Sequence, residues 1–222
     1  MQSRHASNRA ATMFSATLLV AFLLFAPLGT ASADAGTKYD HYLLLVIEAS
    51  SPAARGWAEP IVLSHDRAGK VIIADSLDCN DLYTIGGKQV KMGSIYSIGG
   101  ENLVISVINV SYGLGITKYA KITYMGLDHV ARIMGGSLNV NKMIEASKSS
   151  DRSSVRKEQL RFIEAISYGL HNLSIIRMFA LFKASFSYCD SNINIWEAFN
   201  LTRDLIGGTF IPRDGKELAI SL

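Results

Sequence analysis

The sequence predicts a single α/β domain in which helices flank a central mixed β-sheet. Short apolar runs of strand length recur in the first half of the chain, beginning with residues 42–47. Stretches with helical spacing of apolar residues lie between these runs and after them, and this alternation is typical of α/β folds. The 222 residues, 49% of them hydrophobic, suffice for one packed core and exclude a disordered chain.

The net charge and the cysteine count bear on two further classes of protein. A formal charge of +3 is too small to indicate binding to DNA or RNA, so no nucleic-acid partner is expected. Two cysteines cannot build a disulfide scaffold. Cys79 and Cys189 can pair only if the chain leaves the cytoplasm, and the sequence leaves one disulfide and two free thiols equally open.

The first 33 residues have the pattern of an export signal. Arg4 and Arg9 precede residues 10–33, which contain no charged side chain, and Ala31-Ser32-Ala33 matches the small-residue site of a signal peptidase. An uncleaved membrane anchor is the alternative, because about 20 apolar residues cross a bilayer. Both interpretations export residues 34–222, which form the domain, to the cell envelope at the membrane surface or into the medium.

The first predicted elements are strands. Residues 42–47 have the length and continuous apolar character of a strand that is buried on both faces. Runs 60–64 and 70–74 follow, and the turn formers Asp66 and Gly69 between them predict a hairpin.

The middle of the chain alternates loop, helix and strand. Residues 75–91 are polar and contain glycine, which predicts a loop at the rim of the sheet. Residues 101–110 favour a strand by their β-branched side chains and a helix by their spacing. A strand is predicted over 119–125, and a helix over 127–134 ends at a glycine pair.

The later part of the chain is predicted to be mainly helical. Residues 147–154 form a polar spacer, and residues 160–173 carry the apolar stripe of a long amphipathic helix. The apolar block 178–186 is also predicted to be helical, and residues 195–222 remain without an assignment.

A series of glycines and aromatic residues runs without a gap through residues 91–140. A tyrosine leads into a Gly-Gly pair and a helix, a glycine precedes the next strand, and a second Gly-Gly pair ends the helix after it. The matching residues are Lys91, Tyr96, Gly99, Gly100, Gly115, Ile116, Gly126, Leu127, Gly135 and Gly136. This order resembles the signature stretch of the LytR-CpsA-Psr (LCP) family, of which the chain is identified as a divergent and shortened member. The resemblance selects the helix for residues 101–110.

Two weaker stretches extend the resemblance over most of residues 38–172. Asp40, just before the first strand, resembles the family's aspartate at that place. Arg152, Arg156 and Gln159 resemble the arginine and glutamine run that opens a late helix, although their spacing differs from the family pattern.

The resemblance implies a function. Members of the family are phosphotransferases outside the membrane, which move a glycopolymer from a polyprenyl-pyrophosphate carrier to peptidoglycan with the help of Mg²⁺. Arginines hold the pyrophosphate and carboxylates hold the ion, as phosphoryl transfer requires. The resemblance therefore implies Asp40, Arg152 and Arg156 as catalytic residues. It implies Lys91 and Gln159 as substrate-binding residues, and Asp40 and Asp81 as metal ligands.

Departures from the family pattern keep other functions open. The loop after the third predicted strand lacks the family's arginine, and Cys79 stands nearest its place. Asp81 is the best match for the carboxylate of this motif, with Asp75 and Asp78 as competitors, and residues 137–150 replace a longer family segment. The alternatives are a non-catalytic descendant that binds polyprenyl-phosphate lipid or an envelope polymer, and an unrelated secreted α/β protein.

Overall fold

A computed structural model describes the chain over its folded core. The described residues are 38–133, 139–148, 180, 184, 188–194, 197, 200–201, 204 and 209–214. The strands are β1 (Asp40–Glu48), β2 (Trp57–Asp66), β3 (Val71–Ser76), β4 (Leu82–Ile85), β5 (Lys88–Lys91), β6 (Lys118–Thr123), β7 (Cys189–Ser191) and β8 (Thr209–Asp214). The helices are α1 (Met92–Tyr112), α2 (Tyr124–Ile133) and α3 (Val140–Lys148).

Six strands form one mixed sheet in the order β7-β6-β1-β2-β3-β8. β1 is antiparallel to β2 and parallel to β6, while β3 is antiparallel to β2 and parallel to β8. β1, β3, β6 and β8 therefore all run in one direction. Their last residues meet at one edge of the sheet, here named the carboxyl edge, and their first residues meet at the opposite amino edge. The predicted mixed α/β sheet is confirmed.

The larger core cluster lies between the sheet and α1. Leu43, Leu45 and Ile47 point to this face from β1 and are completely buried, as is Ile108 of α1. Residues 101–110 are helical as predicted, because burial against the sheet outweighs the strand propensity of their β-branched side chains. α1 is longer than predicted, since it begins at Met92 and contains a break at Gly100 (φ 69°).

A buried lysine connects three elements on the α1 face. The Nζ of Lys121 in β6 lies 2.9 Å from an Asp190 carboxylate oxygen of β7 and 3.3 Å from one of Glu101 in α1. The same ammonium lies over the rings of Tyr96 and Tyr119. Burial by itself would lower the pKa of Lys121, but the hydrogen bond to Asp190 and the surrounding charges outweigh it and raise the pKa. The charged form therefore persists inside the fold and joins α1, β6 and β7.

The opposite face of the sheet carries two separate apolar clusters. The cluster near the carboxyl edge packs Val46 and Ile122 against α2 and α3. The cluster near the amino edge packs Tyr42 and Ile72 against the segment that contains Leu201. Between them, on the central strands β1 and β2, three apolar side chains are only partly buried: Leu44, Ile61 and Leu63. These three are named the apolar floor.

The observed secondary structure differs from the prediction in one place and adds two elements that were not predicted. Residues 75–91 are not one loop, because β4 and β5 form a separate hairpin whose turn, Gly86 and Gly87, has positive φ at both positions. Such a turn requires glycine, and its twist suits a two-residue hairpin. α3 was not predicted, and its last two residues fall in the polar spacer 147–154. β8 lies in residues 195–222, to which the sequence assigned no structure.

Some predictions fall elsewhere in the chain. The export signal at residues 1–33, the helix over 160–173 and most of the helix over 178–186 lie outside the described residues. Of the helices that the structure describes, none has both the length and the apolar character needed to cross a membrane.

The contact between Gly93 and Trp57 generates a stability prediction. A Cβ added at Gly93 would stand 2.3 Å from a ring carbon of Trp57. We expect Gly93→Ala to lower the free energy of unfolding by roughly 1–3 kcal/mol, because the packed indole cannot give way freely. Urea denaturation measures this change.

A neighbouring substitution and a second site provide the controls. Ser94→Ala, one position further along α1, should change the free energy of unfolding by no more than about 0.5 kcal/mol. In a Trp57→Leu background Gly93→Ala should cost less than in the wild type. Equal costs in the two backgrounds would mean that the indole contact is not the cause.

Candidate functional site

Polar side chains converge where β1, β3 and β5 end. The Nζ of Lys148, at the end of α3, lies 2.5 Å from a carboxylate oxygen of Glu48, the last residue of β1. The Nδ2 of Asn80 donates to the backbone oxygen of Lys148 at 3.5 Å, and the Nζ of Lys91 donates to the Oδ1 of Asn80 at 3.1 Å. With Asp81, these residues form the carboxyl-edge cluster. In open α/β sheets, ligands bind at this end of the strands.

Backbone hydrogen bonds hold the loop between β3 and β4 in place. The N–H of Leu77 donates to the oxygen of Pro60, and the N–H of Asn80 donates to a carboxylate oxygen of Asp78. The first N–H groups of α1 donate back to this loop, from Met92 to the oxygen of Asp81 at 2.8 Å. The helix start is therefore closed by the loop, and the exposed Asp81 directly precedes Leu82, which pairs with Lys91.

Two buried carboxylates flank Ser76 at the end of β3. Glu59 is 4% exposed and accepts hydrogen bonds from the Tyr124 hydroxyl at 3.1 Å and from the Ser76 hydroxyl at 3.5 Å. Asp75 is fully buried and accepts two parallel hydrogen bonds from the Arg213 guanidinium, at 3.0 and 2.9 Å. Asp75 thus pairs with β8, which separates it from its competitors Asp78 and Asp81 in the loop.

The structure brings together some of the predicted site residues and separates others. Lys91 and Asp81 are backbone neighbours in the carboxyl-edge cluster, since Leu82 pairs with Lys91 and the N–H of Met92 donates to the Asp81 oxygen. Asp40 lies at the amino edge, where its carboxylate is 2.6 Å from the Nε of Arg67. The nine residues of β1 separate the two edges by about 26 Å.

Asp40 and Asp81 therefore stand at opposite edges of the sheet, where a single ion cannot contact both carboxylates, and the role of each as a metal ligand stays a prediction. The sequence-based assignment followed the residue before the first strand, whereas strand direction places the loop of Asp81 beside the residue after it. Arg152, Arg156 and Gln159 lie outside the described residues.

Glu48 and Lys148 belong to the cluster but were missed. A signal for Glu48 was present, because it is the first charged residue after the apolar run 42–47 and strands of α/β sheets carry site residues at their carboxyl ends. Nothing near Lys148 in the sequence marked it, since its contact with Glu48 spans 100 residues and depends on how α3 packs.

The carboxylates of the cluster suit a magnesium ion of the usual protein type. In the described part of the chain, no group of three or more His, Cys, Asp or Glu side chains is arranged to hold a metal by itself. Mg²⁺ typically takes one or two carboxylates and completes its shell with water and substrate phosphates. The exposed Asp81 and the partly exposed Glu48 fit that donor set.

The two cysteines are free and far apart. Cys79 follows β3 beside Ala58 of β2, whereas Cys189 pairs with Ile122 at the other side of the sheet. Three strand spacings separate them, about 14 Å, and a disulfide requires Cα atoms within about 7 Å. Burial raises the pKa of both thiols, and nearby carboxylates raise it further. Neither thiol is activated as a nucleophile.

A family model and solved structures match the chain. The LytR_cpsA_psr family model matches residues 61–173, just over half of the sequence. No curated protein matches at a significant level. Among solved structures, protein gbs0355 from Streptococcus agalactiae superposes with a TM-score of 0.64 at 14% identity, over 79% of this chain and 77% of that chain.

Two further structures show the same fold. TagV from B. subtilis has a TM-score of 0.61 at 18% identity, over 80% of this chain and 84% of that chain. TagT, solved bound to LI-WTA, has a TM-score of 0.59 at 12% identity, over 83% of this chain and 81% of that chain. At these identities the similarity establishes the fold.

The burial of the thiols predicts slow alkylation. We expect iodoacetamide at pH 8 to modify Cys79 and Cys189 more slowly in the folded protein than in the chain unfolded by guanidinium, because both stay protonated. Intact-mass spectrometry counts the added groups. Unfolded without reductant, the chain should take up two groups, and uptake of none would contradict the free thiols by showing a disulfide.

Proposed function

We propose that the chain, which belongs to the LytR_cpsA_psr family, transfers a glycopolymer from a polyprenyl-pyrophosphate carrier to peptidoglycan. The observation that carries the proposal is the carboxyl-edge cluster, where two lysines and two carboxylates meet at the end of an apolar surface. A lipid-linked pyrophosphate needs this combination of charge and apolar contact.

The proposed reaction is a phosphoryl transfer. A hydroxyl of peptidoglycan attacks the phosphorus that carries the glycopolymer, a new O–P bond forms, and the P–O bond to the second phosphate breaks. The hydroxyl proton passes to a carboxylate of the carboxyl edge, and polyprenyl phosphate leaves. Catalysis of this kind is mainly positioning and neutralisation of charge. Lys91 and Lys148 would bind phosphate oxygens.

A magnesium ion would complete the charge balance. Asp81 and Glu48 would hold it against the pyrophosphate, and it would supply neutralisation of the negative charge on the phosphate oxygens. Arg152, Arg156 and Gln159, from the late part of the family resemblance, would add further contacts to the pyrophosphate.

The apolar floor supports a lipid-linked carrier. Leu44, Ile61 and Leu63 are only partly buried although they lie on central strands. On the same face of β2, alternate residues lead from Ile61 to Glu59 and then to Trp57 at the carboxyl edge. A polyprenyl chain lying on this floor would bring its pyrophosphate to the carboxyl-edge cluster.

The predicted export signal supports the same reaction. Residues 1–33 have the pattern of a signal peptide or anchor, and peptidoglycan lies outside the cytoplasmic membrane. We propose that residues 34–222 act on the outer face of that membrane.

In a second candidate function, the protein binds its lipid or polymer ligand but does not catalyse the transfer. Residues 71–87 contain no lysine or arginine, and the buried Cys79 stands where the family resemblance expects an arginine. A non-catalytic protein that binds polyprenyl-phosphate lipid or an envelope polymer would have no need of that arginine.

Binding of a short polyprenyl pyrophosphate, with and without Mg²⁺, tests the site. We expect Asp81→Asn to weaken Mg²⁺-dependent binding at least about tenfold, because an ion held by few protein ligands depends strongly on each. Isothermal titration calorimetry on residues 34–222 measures the affinity.

Two further variants serve as a control and as a comparison between the two edges of the sheet. Asp128→Asn, which removes a partly buried carboxylate paired with Arg132 on α2, should leave binding unchanged. Asp40→Asn compares the two edges, and a loss there without a loss in Asp81→Asn would contradict the carboxyl-edge site. Lipid binding that is indifferent to Mg²⁺ and to Asp81 would favour the non-catalytic function.

A further inference from the structure

We infer that Arg213 binds the substrate pyrophosphate in the proposed transferase site and that Asp75 positions its guanidinium. The inference rests on the proposed function for the class of substrate. It adds a residue from the last strand of the chain, 138 positions from its partner, in a region to which the sequence assigned no structure.

The loop beside the site is short of positive charge. Asp75, Asp78 and Asp81 contribute three carboxylates to residues 71–87, and this stretch has no lysine or arginine. A pyrophosphate is strongly anionic, so cations must reach it from other elements of the fold. Lys91 and Lys148 are two of these, and each already contacts a polar side chain of the cluster.

β8 carries Arg213 near the carboxyl edge of the sheet. It pairs in parallel with β3, and the register sets Arg213 directly beside Asp75, one residue before both strands end. Parallel neighbours end at the same edge, so Arg213 stands next to the start of the loop that leads to Asp81. This placement follows from the strand pairing alone.

The geometry of the pair fixes the plane of the guanidinium. Its Nε and Nη2 donate to the two oxygens of Asp75, and such a two-bond contact is the most orienting that arginine makes. Asp75 is fully buried, whereas the side chain of Arg213 is 21% exposed. Arginine has five N–H donors in a rigid fork, and two of them donate to Asp75.

A purely structural pair is the competing interpretation, in which Arg213 only joins β8 to β3. The two interpretations differ in what the variants change. A structural pair affects the unfolding temperature, and a phosphate-binding arginine also affects the part of the binding energy that depends on phosphate.

A comparison of two ligands isolates the phosphate contribution. The probes are a short polyprenyl pyrophosphate and the polyprenyl alcohol of the same chain length, titrated by calorimetry with Mg²⁺ into residues 34–222. We expect Arg213→Gln to weaken binding of the pyrophosphate at least about tenfold, as loss of a charge-assisted double contact implies, and to leave binding of the alcohol unchanged. Arg213→Lys should fall between, because lysine keeps the charge without the fork.

Further variants separate folding from binding. Arg132→Gln, an exposed arginine on α2, is the matched control and should bind as the wild type does. Asp75→Asn should weaken binding of the polyprenyl pyrophosphate and leave binding of the polyprenyl alcohol unchanged. Thermal unfolding is recorded for every variant. If Arg213→Gln does not fold, the pyrophosphate affinity of Arg213→Lys tests the inference instead.

The outcomes distinguish the two proposals. Unchanged pyrophosphate affinity in folded Arg213 variants, with a loss in Asp81→Asn, would overturn this inference and leave the proposed function intact. Equal affinity of the wild type for pyrophosphate and alcohol, or binding of neither, would overturn both.

Discussion

The pairing of β1 on both sides is the constraint on which the rest of the structure depends. β1 is antiparallel to β2 and parallel to β6, and β3 and β8 take the same direction as β1 through their own pairings. Four strands thus end at one edge. That edge receives the loop after β3, the start of α1 and the end of α3, which is why charged side chains from distant parts of the chain meet there.

Charge is distributed differently at the two edges. At the amino edge, carboxylates pair with neighbouring cations, as Asp40 does with Arg67, and a buried histidine, His65, contacts Asp204 at 3.0 Å. These contacts tie strand ends and the late segment of the chain to the sheet. At the carboxyl edge, two lysines and Glu48 belong to a connected set through Asn80, and the exposed Asp81 follows Asn80 in the loop. A set of this kind can exchange some internal contacts for contacts with an anionic ligand.

Part of the candidate site could be predicted from the sequence, and part could not. The family resemblance selected Lys91 and the loop of Asp81, which the structure places at the carboxyl edge, because both lie in or next to the continuous signature stretch. It also selected Asp40, which lies at the opposite edge, because an aspartate beside an apolar run looks the same whether it precedes or follows the strand. Arg213 had no local signal at all, since its role depends on β8 pairing with β3.

The sequence by itself determined the α/β class, the central strands and the family, because these depend on apolar periodicity and on residues close together in the chain. It also contained the helix at residues 101–110, although propensity alone favoured a strand there. Only the tertiary structure decided which end of β1 carries the site, that Cys79 and Cys189 stay apart, and that Asp75 meets Arg213. Those relations depend on strand direction and order, and contacts across more than 100 residues leave no periodic trace in the sequence.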